Sequence, residues 1–310
     1  MRDKRYTSAE GYARMMAWYD AALARIHVPI ETHCLPTRHG ETHVVTAGCT
    51  TAPAVVLLHG VNINAAVWQP QLQGLAQTHY VIAPDVPGFA GRGSANRIHY
   101  RDTSLADWLA DVLDALHVDR TIVSGGSAGG WFALKFAAHY PQRTAAALIM
   151  NPCGITPYRG VYKLTRVTPA IHFLRTFRPL IANPALARRV VERGMNPDTP
   201  ASAHNIELAY LLLKYYRRRS PPPIMPDDEL RCVTSPVTLL TGEHEVYTTP
   251  RTVQSRIQRL IPQTVIEEIS GVGHDINKET PELVNAKLRQ LSHQHLQPEP
   301  GGNFAPDVVK

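Results

Sequence analysis

A glycine-flanked serine between a short strand and a helix constrains this chain more than any other feature. The pattern Gly125-Gly-Ser-Ala-Gly129 follows the β-branched run Thr121–Val123, which predicts a buried strand. Residues 131–138 predict a helix, which ends before Pro141. In such a strand–turn–helix, the glycines let neighbouring backbone pass close by. The serine is then forced into a strained conformation that lifts its hydroxyl above the sheet.

Ser127 is therefore predicted to be a nucleophile, since its backbone also opens a helix whose first amides favour a developing negative charge. The alternative is a glycine-rich turn that only caps a helix. A five-residue pattern alone does not separate the two interpretations. The flanking strand and helix supply the context that the nucleophile requires.

Strands and helices alternate along most of the chain. This order predicts an α/β fold with a mostly parallel central sheet and helices on both faces. In addition to the strand that precedes the serine, the predicted strands are Val55–Leu58, Tyr80–Ala83, Ala146–Met150, Val237–Leu240 and Val265–Ile269. The predicted helices are Pro70–Thr78, Ser104–Leu116, 251–261 and 281–294.

The N-terminal region predicts a helix and a hairpin. Thr7–Glu10 matches a capping box ahead of a helix over Tyr12–Ile26, and Ile30–Pro36 with Glu41–Ala47 predicts a β-hairpin. The helix carries an apolar and aromatic stripe, for which packing is favoured over lining of a substrate tunnel. Its members are Met15, Met16, Trp18, Tyr19 and Leu23.

Residues 154–231 break the alternation and predict a helical cap. They contain helical patterns at Val161–Leu174, Ala185–Val191 and Ala203–Tyr216, but no convincing strand. We expect this insert to lie over the carboxyl ends of the strands, where ligands bind in such sheets. The predicted α/β core is thus 1–153 and 232–296, and 297–310 predicts a disordered tail.

A serine nucleophile needs a histidine base and a carboxylate that orients it, and both must follow later strands. His274 ends Gly271-Val-Gly-His274, directly after the last predicted strand, and is the predicted base. Two carboxylates, Glu243 and Glu245, compete in the loop after Val237–Leu240. Glu245 lies farther from the strand and is favoured as the acid, whereas Glu243 is expected to make structural backbone hydrogen bonds.

The loop after the first core strand predicts an oxyanion hole. His59-Gly-Val-Asn62 follows Val55–Leu58, and the backbone N–H groups of Val61 and Ala128 are the predicted donors. His59 is expected to hold the loop by hydrogen bonds. Asn62 and Trp131 are the predicted substrate contacts, although the sequence leaves open whether Asn62 and Asn64 contact substrate or the loop itself.

These stretches together resemble the α/β-hydrolase superfamily over about residues 30–295. The matching segments are Leu57–Gly60, Pro84–Gly88, Gly125–Gly129, Thr241–Glu245 and Gly271–His274. Within the superfamily the chain is most similar to the carboxylesterase NP type of bacilli. That resemblance implies a glutamate as the acid and so supports Glu245 over Glu243.

The composition argues against a disulfide-rich, metal-binding or membrane-spanning protein. The four cysteines show neither disulfide nor metal-ligand spacing, no apolar run reaches about 18 residues, and the N-terminus lacks the apolar core of a signal peptide. A cytoplasmic protein without metal or cofactor is therefore predicted. The net charge is +6, and residues 154–231 hold thirteen Lys/Arg against six Asp/Glu. No nucleic-acid-binding motif accompanies this charge.

The predicted function is hydrolysis of a carboxylic ester through an acyl-enzyme. The same side chains would serve a thioesterase, an acyltransferase or a cyclase, and the basic insert suggests an acidic carrier protein or an anionic substrate as a partner. Ordinary solvated faces are the plainer interpretation of those charges. A non-hydrolytic enzyme on the same scaffold is the remaining alternative.

Overall fold

The computed structural model describes residues 3–159, 182–192, 201–217 and 219–296. An eight-stranded sheet with the order β1-β2-β4-β3-β5-β6-β7-β8 forms its centre. β1 and β2 pair antiparallel, as do β2 and β4, and every other pair is parallel. The strands are β1 Ile30–Leu35, β2 Thr42–Ala47, β3 Ala54–Leu58, β4 Tyr80–Pro84, β5 Thr121–Gly126, β6 Thr144–Met150, β7 Val237–Gly242 and β8 Val265–Ile269.

Helices cover both faces of this sheet. In the described residues they are α1 Ala9–Leu23, α2 Gln69–Leu75, α3 Ser104–Ala115, α4 Ala128–His139, α5 Pro184–Glu192, α6 Ala203–Lys214, α7 Asp227–Arg231, α8 Pro250–Leu260, α9 Ile276–Glu279 and α10 Pro281–His295. Short 3₁₀ turns lie at Ala65–Trp68 and Pro141–Arg143.

The apolar strands are buried on both faces, which explains their lack of a polar alternation. Along β3, Val56 and Leu58 belong to the cluster under α3 and α4, while Val55 and Leu57 belong to the opposite cluster, which includes α1 and α10. All four side chains are inaccessible to solvent. The fold predicted from the sequence, a mostly parallel sheet covered on both sides, is confirmed.

The N-terminal prediction is right in kind and shifted in its boundaries. The hairpin is present, with Ile30 opposite Ala47. The helix cap, however, is Ser8 and not Thr7, because the Ser8 hydroxyl accepts the N–H of Gly11 at 3.0 Å. Glu10 accepts a hydrogen bond from the Tyr215 hydroxyl at 2.8 Å instead of closing a capping box.

The aromatic stripe of α1 packs against the core and against α6. Met15 and Tyr19 are buried in the core, and Trp18 stacks on His204 with ring centroids 4.4 Å apart. The Trp18 indole also donates to the His204 carbonyl at 3.1 Å. Packing, the favoured interpretation of this stripe, therefore holds, and α1 fixes the position of α6.

The two ends of the segment 154–231 meet at the core. The Met225 N–H donates to the Gly154 carbonyl at 2.8 Å. Arg256 of α8 donates to the carbonyls of Ile155 and Met225 and pairs with Asp227 at 2.5 Å. One guanidinium thus holds both ends of the segment. The predicted helix Val161–Leu174 and the tail 297–310 lie outside the described residues. Among the helices that the structure describes, none is long and apolar enough to span a membrane.

Candidate active site

The four strands β5, β6, β7 and β8 are neighbours in the sheet, so the loops at their carboxyl ends share one edge. Ser127 follows β5, Asn151 follows β6, Glu245 follows β7 and His274 follows β8. β3 lies on the other side of β5: the chain runs from β3 to β4 on one side of β3 and then crosses to β5 on its other side. This edge is therefore a switch point of strand order, the usual ligand site of an open α/β sheet.

Ser127 occupies the strained turn that the sequence pattern predicts. Its φ and ψ are 56° and −120°, a conformation that non-glycine residues rarely adopt. The flanking glycines make the turn possible, because a Cβ on Gly129 would lie 1.8 Å from the Leu58 carbonyl oxygen and one on Gly125 would lie 2.2 Å from the Gly129 carbonyl carbon. Any larger residue at either position would collide with backbone.

The loop after β3 lies directly against this turn. A Cβ on Gly60 would be 3.6 Å from the Ser127 Cβ, so the loop that carries Val61 adjoins the serine turn. Ala128 is the first residue of α4, and amides in a first helical turn have no partner within the helix. The two residues predicted as oxyanion donors thus belong to segments that meet at the nucleophile turn.

The side chains of His59, Asn62 and Asn64 hold this loop in place. His59 accepts the Val86 N–H at Nε2 (3.0 Å) and its Nδ1 lies 2.9 Å from the Gly60 carbonyl, so Nδ1 carries the proton. Burial lowers the pKa of His59 and keeps the ring neutral. Asn62, at φ 64°, exchanges two hydrogen bonds with the backbone of Arg219.

Asn64 caps the 3₁₀ turn that follows this loop. Its side chain accepts the Ala66 N–H at 3.2 Å and donates to the Ala90 carbonyl at 3.0 Å. Of the two roles that the sequence leaves open for Asn62 and Asn64, these bonds favour the loop contact. A substrate contact by Asn62 stays a prediction.

The imidazole of His274 is paired with Glu245. Nδ1 lies 2.5 Å from Oε2 of the carboxylate, whose other oxygen accepts the backbone N–H groups of Tyr247 (2.5 Å) and Thr248 (3.1 Å). Glu245 is buried, and the Tyr247 ring meets the imidazole edge-on with centroids 4.5 Å apart. The carboxylate is therefore fixed in its orientation by its own loop.

Glu243 has a separate structural role in the same loop. Its carboxylate accepts the Ser270 hydroxyl at 2.7 Å and the Gly271 N–H at 2.9 Å. These two hydrogen bonds hold the pKa of Glu243 below its ordinary value. Glu243 thus supports the turn that leads to His274 without reaching the imidazole, as expected from the sequence.

The electrostatics of the pair favour a charged imidazole. Burial by itself lowers the pKa of His274, but the charge and hydrogen bond of Glu245, helped by Asp275, outweigh it and leave the pKa above its ordinary value. Asp275 is itself held ionised by Lys278 at 2.7 Å. This arrangement can stabilise an imidazolium during proton transfer.

Asn151 is a residue of this edge whose role sequence analysis missed. Its amide donates to the carbonyls of Gly273 (2.9 Å) and His274 (3.1 Å) and accepts the Gly242 N–H at 3.0 Å. The preceding carbonyl, of Met150, accepts the Ser127 N–H at 2.9 Å. Asn151 therefore ties the serine turn to the histidine loop. Its φ of 39° lies in the left-handed region, which Asn adopts more readily than most residues.

Trp131 lies in the first turn of α4 and is buried beside Tyr100. The two ring centroids are 5.8 Å apart, and the Trp131 Nε1–H has no acceptor in the part of the chain that the structure describes. The predicted contact between Trp131 and substrate is not tested by this packing. It remains a prediction.

The chain belongs to the Alpha/beta hydrolase family, which matches residues 55–287. This confirms the superfamily resemblance seen in the sequence.

Among its curated relatives are two proteins of Bacillus subtilis (strain 168). Uncharacterized carboxylesterase nap is 27% identical over 280 residues, 88% of this chain and 90% of its own length. Carboxylesterase YbfK is 26% identical over 291 residues, 91% of this chain and 95% of its own length. The crystal structure of naproxen esterase (carboxylesterase NP) from Bacillus subtilis superposes with a TM-score of 0.78 at 23% identity, covering 91% of this chain and 98% of that one. The predicted similarity to bacillar carboxylesterases is confirmed.

Proposed function

We propose that this protein hydrolyses carboxylic esters through an acyl-enzyme formed on Ser127, with His274 as general base and Glu245 as the orienting acid. The observation that carries the proposal is the hydrogen bond from His274 to Glu245 on the sheet edge where the strained Ser127 turn opens. The similarity to curated carboxylesterases supports an ester as the substrate class. The reaction uses side chains and backbone alone.

In the proposed mechanism, Glu245 holds the proton of His274 on Nδ1, which leaves Nε2 free to accept the Ser127 proton. The serine oxygen attacks the acyl carbon, and the N–H groups of Val61 and Ala128 stabilise the oxyanion. Each such donor typically contributes about 3 kcal/mol to the transition state. His274 then protonates the leaving alcohol, and water repeats the cycle on the acyl-enzyme.

We also propose that the segment 154–231 is a cap over this edge. Support comes from its anchoring: both ends are held beside the strand ends by Arg256, and α6 packs on α1. At the N-terminal end of the segment, the backbone N–H of Arg159 donates to the Tyr247 carbonyl at 2.9 Å. This bond joins the segment to the loop that carries Glu245. Of the basic residues that suggest a carrier protein, Arg175, Arg178, Arg193 and Arg218 lie outside the described residues.

The test is covalent labelling by a fluorophosphonate together with turnover of p-nitrophenyl esters. We expect the wild-type protein to be labelled once and Ser127→Ala to lose both label and turnover. Ser124→Ala is the matched control, since this buried hydroxyl has no hydrogen-bond partner in the described chain and its removal costs little. Labelling that persists in Ser127→Ala would contradict the assignment of the nucleophile.

A further inference from the structure

Arg219 is fixed beside the predicted oxyanion loop by its backbone. Its N–H donates to the Asn62 side chain at 2.6 Å and its carbonyl accepts from the same amide at 3.0 Å. On the next residue, the Ser220 carbonyl accepts the Tyr100 hydroxyl at 3.3 Å. These bonds place the Arg219 side chain near the site without using its guanidinium.

The guanidinium lies on aromatic surface and is only partly satisfied. Its central carbon is 4.1 Å from the centroid of the Tyr100 ring and 5.6 Å from that of Phe89. Nη2 donates to the Ile98 carbonyl, whereas Nη1 is buried and has no acceptor in the described chain. A buried donor without a partner is rare in folded proteins and calls for an explanation.

No carboxylate within the described ranges pairs with this cation. The charged or titratable groups that influence it are Tyr100, Tyr216 and Arg97. Burial, with the like charge of Arg97, lowers the pKa of Arg219, yet a guanidinium stays charged near neutral pH. Arg256, by contrast, has Asp227 at 2.5 Å. A desolvated cation without a counter-ion is costly unless a ligand supplies the anion.

Two routes of contact connect Arg219 with Ser127. Along the first, Arg219 bonds to Asn62, and the same loop meets Ser127 through Gly60. Along the second, Arg219 lies on Tyr100, which packs on Trp131, and the backbone N–H of Trp131 donates to the Ser127 carbonyl at 3.4 Å. Arg219 is therefore joined to the Ser127 turn both through Asn62 and through Tyr100.

We propose that Arg219 binds a carboxylate carried by the substrate, so that the preferred substrates are esters of dicarboxylic acids with one free acid group. This inference rests on the proposed function. A carboxylate matches the two-pronged geometry of a guanidinium and would supply both the missing acceptor and the missing counter-ion. Asn62 links this carboxylate site to the predicted oxyanion loop. Its side chain bonds to the Arg219 backbone, and it lies in the loop that carries Val61.

The test compares monomethyl esters with dimethyl esters of dicarboxylic acids from succinate to suberate, with acid release followed in a pH-stat. We expect wild-type kcat/KM to favour the monoester of at least one chain length. Arg219→Gln should reduce the monoester-to-diester ratio by about tenfold or more, as expected for a lost charge-assisted hydrogen bond. Arg219→Lys, which keeps the charge but not the fork, should fall between the two.

Arg217→Gln is the matched control, because it removes the same charge from an exposed residue of the same segment. Its ratio should stay at the wild-type value. Circular dichroism of each variant establishes that it is folded. An equal ratio in wild type and folded Arg219→Gln at every chain length would overturn the inference while leaving ester hydrolysis in place.

A binding measurement keeps the two proposals separate. Calorimetric titration of Ser127→Ala with the same monomethyl esters should show saturable binding that the double variant with Arg219→Gln loses. If no ester is turned over but this binding is seen, the proposed hydrolysis fails and the carboxylate site stands. If diesters are turned over and no Arg219-dependent binding is seen, Arg219 only fixes its segment on Tyr100.

Discussion

Replacing Glu245 by glutamine tests whether the carboxylate orients His274, because glutamine has nearly the same size and shape. One carboxylate oxygen accepts two backbone N–H groups, from Tyr247 and Thr248, and the other faces Nδ1 of His274 at 2.5 Å. In Glu245→Gln the amide oxygen must keep the two backbone donors, since an NH₂ there would leave them unpaired. The new NH₂ group therefore faces the imidazole.

That orientation forces the wrong tautomer of the base. Nδ1 must become an acceptor, so the proton moves to Nε2, where the proposed mechanism needs a lone pair for the Ser127 proton. The corresponding change in a Ser-His-Asp triad lowers kcat by about 10⁴-fold, or about 5 kcal/mol of barrier. We expect a loss of about 10³–10⁴-fold in kcat here, with little change in fold because the backbone bonds of residue 245 persist.

The assay is steady-state hydrolysis of a p-nitrophenyl ester by Glu245→Gln and by Glu243→Gln. Glu243 offers the same substitution two residues earlier, at an exposed position whose carboxylate accepts hydrogen bonds from Ser270 and Gly271. We expect Glu243→Gln to retain kcat within about threefold, because both bonds go to one carboxylate oxygen, which the glutamine amide oxygen can replace. Near-normal kcat in Glu245→Gln, or an equal loss in both variants, would refute the assignment.

Three further predictions concern the same edge of the sheet. Because Glu245 raises the pKa of His274 and the base acts in its neutral form, kcat/KM should rise with pH to a plateau with its midpoint above about 6.5; a midpoint below that value would contradict the pairing. Asn151→Ala should lower both stability, by about 1–3 kcal/mol for each buried partner left unpaired, and kcat, as measured by urea unfolding and ester turnover. Gly129→Ala should destabilise the folded protein by about 3 kcal/mol or more, because its Cβ would lie 1.8 Å from the Leu58 carbonyl oxygen. Gly126→Ala is its control: the nearest contact of its Cβ is 3.9 Å away, so this variant should unfold at nearly the wild-type urea concentration.

One buried polar cluster could not be anticipated from the sequence. Lys135 of α4 is buried against Glu229 of α7, which also accepts from His139 at 2.8 Å. The sequence of α4 shows a lysine within an otherwise apolar stretch. The helix α7 is too short to be predicted from its pattern of residues. Each partner is individually an ordinary surface residue type, so only their meeting in space shows that they form a buried ionic contact.

The sequence alone was sufficient to predict the layered sheet, the serine turn and the loops that surround it. These features depend on local rules: apolar runs that need burial on both faces, and glycines at positions where a Cβ would meet backbone. The pattern Gly125–Gly129 contains the steric requirement of its own turn, and the order of strands restricts which later loops can reach the same edge.

Only the tertiary structure decided which side chains meet across that edge. The sequence favours Glu245 over Glu243, but the contact of Glu245 with the His274 imidazole depends on the direction of the loop after β7. Asn62 bonds to Arg219, 157 residues away, and Asn151 bonds to His274, 123 residues away. Such contacts depend on strand order and loop direction over long separations, and no local pattern of residues encodes them.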